Sequence, residues 1–387
     1  MTDTWLVVIF AFVIVSYLPF GLFQMYLVLR SALLLRNLET KKYAELEKKN
    51  QVIVVTTTNG MASDVVQWMI AQTESYGLGV KQFVIKEAHD EFHYSAAEIT
   101  VPKEYSTKNK SRNKMRALQY GIEFLHEQGY GKETYIVWQD DDSLVSKRYI
   151  EYVINHMTEG GGQGCITLRE WGHSVVSSFA DIVRVSNCET WCKTFNVRGT
   201  PVFVHGEGLV VRADLSYEIG WDFATYGAED LLMGLEISKK DKFGYIPWGH
   251  VAIAPPTTAK DFYKQRRRWF WSIFKNDGRL ASLSRGTWFM YLYMYFVGIT
   301  GLVGFMLLIY SLLFQPEMWY WLWPLWLTNL ICFFGFYQYG AWHLRSKKIA
   351  LLMIVLMFPV AFFEGGTIVY ALVKKPDFTK FETIKKV

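Results

Sequence analysis

The chain has 387 residues, 51% of them apolar and 20% charged, with a mean hydropathy of +0.09. That balance excludes an intrinsically disordered protein and is more apolar than most soluble enzymes. The formal net charge is +5, and the apolar residues are gathered into blocks. Between Asp3 and Arg30 lie 26 residues without a charge, and between Arg285 and Glu317 lie 31 more. Met318–Trp342 has 25 residues free of Asp, Glu, Lys and Arg, and Ile349–Val373 has 25 with the single charge Glu364. About 20 such residues let a helix cross a bilayer. These blocks predict an integral membrane protein.

Residues 1–35 are read as a retained transmembrane anchor. The apolar run exceeds the roughly 7–15 residues of a signal peptide core, and neither a basic start nor a small-residue cleavage site accompanies it. Gln51–Thr58 is a β-branched run that predicts a buried strand, Asn59-Gly60 a turn and Ala62–Tyr76 a helix. Val80–Lys86 predicts a second strand, Ser111–Gln128 a helix, Thr134–Gln139 a third strand and Ser146–His156 another helix. Alternating strands and helices argue an α/β domain with a mostly parallel sheet, whose ligands sit at the carboxyl ends of the strands. The domain is taken as 36–259, followed by an amphipathic interfacial segment at 260–285, a transmembrane bundle at 286–373 and a basic tail at 374–387.

Four cysteines, Cys165, Cys188, Cys192 and Cys332, suggest no disulfide framework. Cys188 and Cys192 have the spacing of two metal ligands. With no second pair or suitable histidine beside them in sequence, they read as ordinary helix residues. Basic residues flank the domain at both ends: Arg30, Arg36, Lys41, Lys42, Lys48 and Lys49 before it, and Lys264, Arg266, Arg267, Arg268, Lys275, Arg279 and Arg285 after it. The positive-inside rule then places the domain in the cytosol. The link at 315–317 would be outside and His343–Lys348 inside. A full crossing by 349–373 would put the lysine-rich tail outside, against the rule. Pro359 and Glu364-Gly365-Gly366 suit a broken or re-entrant helix instead, so both topologies stay open.

Three constellations carry chemistry. Asp140-Asp141-Asp142 closes an apolar strand and needs neutralising; Mg²⁺ or Mn²⁺ with a substrate diphosphate would do that, and a solvated acidic turn is the alternative. Glu229-Asp230 opens a helix, either as dipole partners or as a general base for a hydroxyl acceptor. Gln265-Arg266-Arg267-Arg268-Trp269 is either an interfacial anchor or a diphosphate clamp with an aromatic platform. Nucleic acid is not expected, because these cations lie beside the membrane.

Together, in this order, the three resemble glycosyltransferase family 2. Val101–Tyr105, Lys114–Tyr120, Arg184-Val185-Ser186, and Pro359 with Glu364 further resemble the egghead-type β-mannosyltransferases of animals. The chain departs from that pattern with Asp-Asp-Asp at 140–142, with Gly206-Glu207-Gly208, and with one clear N-terminal span. The resemblance implies a GT-A nucleotide-diphospho-sugar transferase fold inserted between transmembrane helices. It also implies an inverting, metal-dependent transfer of mannose from GDP-mannose to a membrane glycolipid; a UDP-sugar donor or a processive polysaccharide synthase is the alternative. By the same resemblance Thr56 and Asp90 would contact the nucleoside, and Lys114 and Arg116 its phosphates. Asp140 would reach the ribose or the metal, and Asp142 the metal. Asp230 would be the base with Glu229 in support, and Gln265, Arg268 and Trp269 would close the diphosphate and acceptor side. His205 and Glu207 would border the acceptor, whereas Thr57, Thr58, His89 and His93 are read as turn or surface residues.

Overall fold

The computed structural model describes residues 2–38, 50–169, 174–314, 319–344 and 346–378. The basic residues 41–49, the 315–317 link, Arg345 and the tail beyond 378 lie outside the described residues. An apolar helix α1 (Thr2–Leu29) runs into a wide π-helical turn (Arg30–Leu34) and leads to the domain. Eight strands then form one sheet: β1 (Gln51–Thr58), β2 (Lys81–Glu87), β3 (Ala97–Val101), β4 (Thr134–Asp140), β5 (Ser143–Val145), β6 (Gly161–Leu168), β7 (Leu209–Arg212) and β8 (Phe243–Ile253). Their order is β3-β2-β1-β4-β7-β6-β8-β5. Strands β3, β2, β1 and β4 are mutually parallel, β6 is parallel to β8, and β7 and β5 run antiparallel to their neighbours. This is the mostly parallel α/β sheet that the alternation of elements predicts.

The crossover helices are α2 (Ser63–Ser75), α3 (Asn113–Glu127) and α4 (Lys147–His156). They cover a sheet whose β1 is buried at every residue after Gln51. Burial on both faces explains why β1 reads as an unbroken Val-Ile-Val-Val run and not as an alternating one. The register pairs Thr57 with Asp140, so the hydroxyls ending β1 and the aspartates ending β4 share one edge. The later strands were not legible. β6 opens with glycines because a β-carbon at Gly164 would sit 2.6 Å from the Tyr149 ring, and one at Gly162 would sit 2.7 Å from the Gly244 carbonyl. Close packing here demands residues that look like a loop in sequence.

The chain continues through α5 (Val175–Asn187), a buried π-helical turn (Cys188–Cys192), α6 (Glu229–Lys240) and α7 (Ala259–Phe274). Thr258 caps α7 by accepting the Asp261 amide at 3.1 Å. Beyond lie α8 (Arg285–Phe314), α9 (Trp319–Phe333) and α10 (Lys347–Val373). Among the described residues three helices are long and apolar enough to cross a membrane: Val7–Leu34, Arg285–Phe314 and Lys347–Val373. The third apolar block is divided: α9 holds 15 residues, then a π-helical turn (Phe334–Gln338) and a short helix (Tyr339–His343) complete it.

Helix α10 runs unbroken through Pro359 and the two glycines. Met353, Met357, Val360, Thr367 and Ala371 are buried along one face, and Glu364 falls in the same stripe. Both of its ends approach the sheet domain. Before its first turn, Gly340 donates its amide to Ser186 Oγ at 2.8 Å, and His343 Nε2 lies 3.5 Å from Glu189. At its end, Trp271 Nε1 donates to the Ala371 carbonyl at 2.9 Å and Arg267 donates to that of Lys374 at 3.1 Å. Domain contacts just before α10 and at its end predict that the start of the basic tail lies on the domain's side. Single cysteines at Lys348→Cys and Lys375→Cys are therefore expected to react with a membrane-impermeant maleimide from the same side of sealed vesicles as Lys240→Cys in the domain. Labelling of the two helix ends from opposite faces would show that α10 crosses.

Candidate active site

A cavity of about 1470 Å³ opens at the carboxyl edge of β1 and β4 and continues between the apolar helices. Its polar end carries Lys114, Asp140, Asp142, Glu229 and Asp230. Lys114, from the first turn of α3, brings the acidic motifs together. Its Nζ lies 2.7 Å from Asp140 Oδ1, 3.4 Å from Glu229 Oε1 and 3.7 Å from Asp230 Oδ1. Sequence positions 114, 140 and 229–230 thus meet around one ammonium.

The electrostatics follow from that packing. Burial opposes the charge on Lys114, but Asp140, Asp230 and Glu229 outweigh it and hold the ammonium well above the ordinary lysine value. Burial pushes the Asp230 carboxyl well up; Lys114 opposes that rise, while Glu229, Asp140 and Glu207 add to it. A carboxylate raised toward neutrality and facing a cavity is suited to accept a proton from a hydroxyl. The backbone of Gly206 packs beneath it: a β-carbon there would lie 2.6 Å from Asp230 Oδ2. Asp142 is 2% exposed, with Oδ1 3.5 Å from Ser143 Oγ.

The other side of the cavity is built by α7. Gln265, Arg268 and Trp269 all line it. Trp269 lies between two guanidinium groups, with Arg184 5.1 Å and Arg266 4.4 Å from its ring centre. Arg266 donates to Glu364 at 2.6 Å, to Asp181 at 2.9 Å and to Gln265 at 2.7 Å. Arg184 donates to Glu207 at 2.5 Å. Glu364, the one charge in its apolar block, is thereby tied to the middle of the basic motif. In sequence its signal was the cost of a charge in such a block; its partner was not legible, because 98 residues separate them.

The other predicted residues differ in how they stand to the cavity. Thr56 is buried within β1, and it is Thr57 and Thr58 that line the cavity. Asp90 is buried and accepts from the Tyr94 hydroxyl at 2.8 Å and the Phe92 amide at 3.1 Å, while its neighbour His89 reaches the cavity wall. Arg116 borders the cavity, but its guanidinium donates to Glu87 and to the carbonyls of Tyr105 and Pro102, bracing the segment after β3. His93 is exposed, as read from sequence. His205 and Glu207 both line the cavity.

The family described as Glycosyl transferase family group 2 matches residues 135–362. The chain belongs to that family. The match contains the three aspartates, Glu229-Asp230 and the Gln265–Trp269 motif; Lys114 precedes it and Glu364 follows it. The chain is also 28% identical over 238 residues to Beta-1,4-mannosyltransferase egh of Drosophila melanogaster, covering 57% of this chain and 52% of that protein. It is 28% identical over 189 residues to Beta-1,4-mannosyltransferase bre-3 of Caenorhabditis elegans, covering 46% and 40%. The chain thus spans about half the length or less of the curated relatives it matches.

The Lys114–Asp230 contact has a consequence for pH. Asp230 must be deprotonated to act as a base, so activity should rise with pH through its raised pKa, above the ordinary value of 3.8. Lys114 is the cation that restrains that rise. In Lys114→Met the acidic limb of the kcat/KM profile should move to still higher pH, whatever happens to the plateau. An unchanged limb would separate Lys114 from the base.

Proposed function

We propose that this chain is an inverting glycosyltransferase that transfers a sugar from a nucleotide-sugar donor to a membrane glycolipid, with mannose from GDP-mannose as the favoured donor. The observation that carries the reading is the continuity of one cavity, with Asp230 at its polar end and apolar helix faces at the other. A glycolipid has the same division, a hydroxyl-bearing head on an apolar tail. Tyr17, Phe305, Phe333, Phe362 and Ile368 supply an apolar wall for such a tail. The mannosyl choice rests on the printed activity of the relatives and on the resemblance of the 101–120 and 184–186 segments.

In this reading Asp230 takes the proton from an acceptor hydroxyl, which attacks the anomeric carbon from the face opposite the departing diphosphate. Configuration inverts, so an α-linked donor yields a β-glycoside. Lys114, at the polar end of the cavity, and Arg268, on its wall, neutralise the leaving diphosphate. The buried Asp142 and the nearby Asp140 form an all-oxygen donor set of the kind Mg²⁺ or Mn²⁺ prefers. When bound there, the ion supplies further positive charge for the leaving group. The basic flanks of the domain favour a cytosolic orientation for it.

The direct experiment offers detergent-purified protein a panel of radiolabelled GDP- and UDP-sugars with membrane lipid extract. One sugar added to a chloroform-soluble product is expected; a long water-soluble polymer, or no transfer from any donor, would overturn the reading. Asp230→Asn should lower turnover by about 10²–10⁴-fold while leaving donor affinity nearly unchanged, since the proton it removes belongs to the acceptor. Near-normal turnover of Asp230→Asn would take the base role from this residue. Asp142→Ala should weaken donor binding in step with Mn²⁺ binding, and chelated wild-type enzyme should recover on adding Mg²⁺ or Mn²⁺. Full activity in chelator would leave the three aspartates as an acidic turn.

A further inference from the structure

The fold supplies the histidine that sequence spacing lacked. Cys188 and Cys192 face each other across one turn of the buried π-helical segment, their sulfurs 3.7 Å apart. His205, from the loop before β7, joins them, and the three ligand atoms lie within 4.8 Å of one another. We propose that Cys188, Cys192 and His205 bind a thiophilic divalent cation of the zinc class, separate from any ion held by the aspartates.

The geometry carries this in two ways. A tetrahedral zinc with Zn–S bonds of about 2.3 Å places two sulfurs about 3.8 Å apart, close to the spacing found here. His205 Nδ1 lies 2.8 Å from the Glu207 carbonyl oxygen. A carbonyl only accepts, so Nδ1 carries the hydrogen and Nε2 presents its lone pair. Such a backbone bond is the usual way a metal-ligating imidazole is oriented. Nε2 is buried, and the imidazole's other side-chain contact is with the Cys188 thiol.

Neighbouring groups leave these three as the donor set. Glu189, on the same turn, is engaged by Lys193 at 3.4 Å and His343 at 3.5 Å. Cys165 is held by the Tyr245 hydroxyl at 3.2 Å. Three protein ligands leave the fourth position of the ion open to water. Sulfur and imidazole select a softer ion than the carboxylates of Asp140 and Asp142 do, so the two sites differ in metal as well as in place. An ion here would tie the 205–207 loop to the turn that extends α5. Because Gly206 backs directly onto Asp230, that tie would fix the wall against which the base rests.

The test reads metal content and does not depend on any transfer activity. Full-length protein is purified in detergent without added zinc, washed with EDTA at a concentration that strips Mg²⁺ and Mn²⁺, and submitted to elemental analysis. About one zinc per chain is expected, released by a mercurial thiol reagent. Replacement with Co²⁺ should give thiolate-to-cobalt charge transfer and the intense visible bands of a tetrahedral site. Cys192→Ser and His205→Ala should lose zinc and cobalt binding, whereas Asp142→Ala should keep both. Wild-type protein that holds no zinc and takes up no cobalt would overturn the proposal, whether or not the variants fold, and would leave a hydrogen-bonded thiol pair. Zinc lost equally from Asp142→Ala would assign the ion to the aspartates and overturn it as well.

Discussion

Arg266 is the residue on which the joining of the sheet domain to its apolar helices depends. It is 6% exposed, and a guanidinium so buried has to be paired and hydrogen-bonded or its desolvation is prohibitive. It meets that condition by reaching both Asp181 on α5 and Glu364 on α10. One cation thus bonds two elements distant in sequence, and removing either carboxylate would leave it partly uncompensated. Breaking a buried pair in this way typically costs about 3–5 kcal/mol. Two rings complete the arrangement, the centres of Phe262 and Trp269 lying 4.1 Å and 4.4 Å from the guanidinium carbon. The middle of a basic motif that borders the cavity is therefore also the joint between the domain and the apolar helix α10.

The same principle organises the polar end of the cavity with the signs reversed. There the carboxylates of Asp140, Glu229 and Asp230 converge, and Lys114 is the cation that makes their proximity tolerable. Burial raises the Asp230 pKa, and Lys114, at the longest of the three contacts, opposes that rise without cancelling it. A carboxyl so raised is suited to accept a proton, while Asp140 makes the shortest of the three contacts with the ammonium. The family match covers Asp140, Glu229 and Asp230, whereas Lys114 lies before its first residue.

Between the two ends, Arg184 and Glu207 link the networks. Arg184 faces Trp269 on the α7 side and bonds Glu207 on the loop that runs under Asp230. Glu207 in turn adds to the rise in the Asp230 pKa. Asp230, the 205–207 loop, Trp269 and α10 are thus connected through a chain of charges and rings within contact distance.

The sequence by itself determined the local patterns. Apolar blocks announced the long apolar helices, and the β-branched run at 51–58 and the aspartates at 140–142 announced two strands that end at one edge. The ordered triad of motifs announced the family, because each is a short contiguous run whose chemistry is local. Tertiary structure decided what depends on contacts far apart in the chain. It placed Thr57 and Thr58 at the cavity in place of Thr56, and gave Asp90 to Tyr94 and Arg116 to Glu87. It paired Glu364 with Arg266 and brought both ends of α10 to one domain. It also set His205 beside Cys188 and Cys192. The physical reason is the same throughout: a buried charge, thiol or imidazole is defined by its partner, and periodicity and spacing carry no record of a partner supplied from another element.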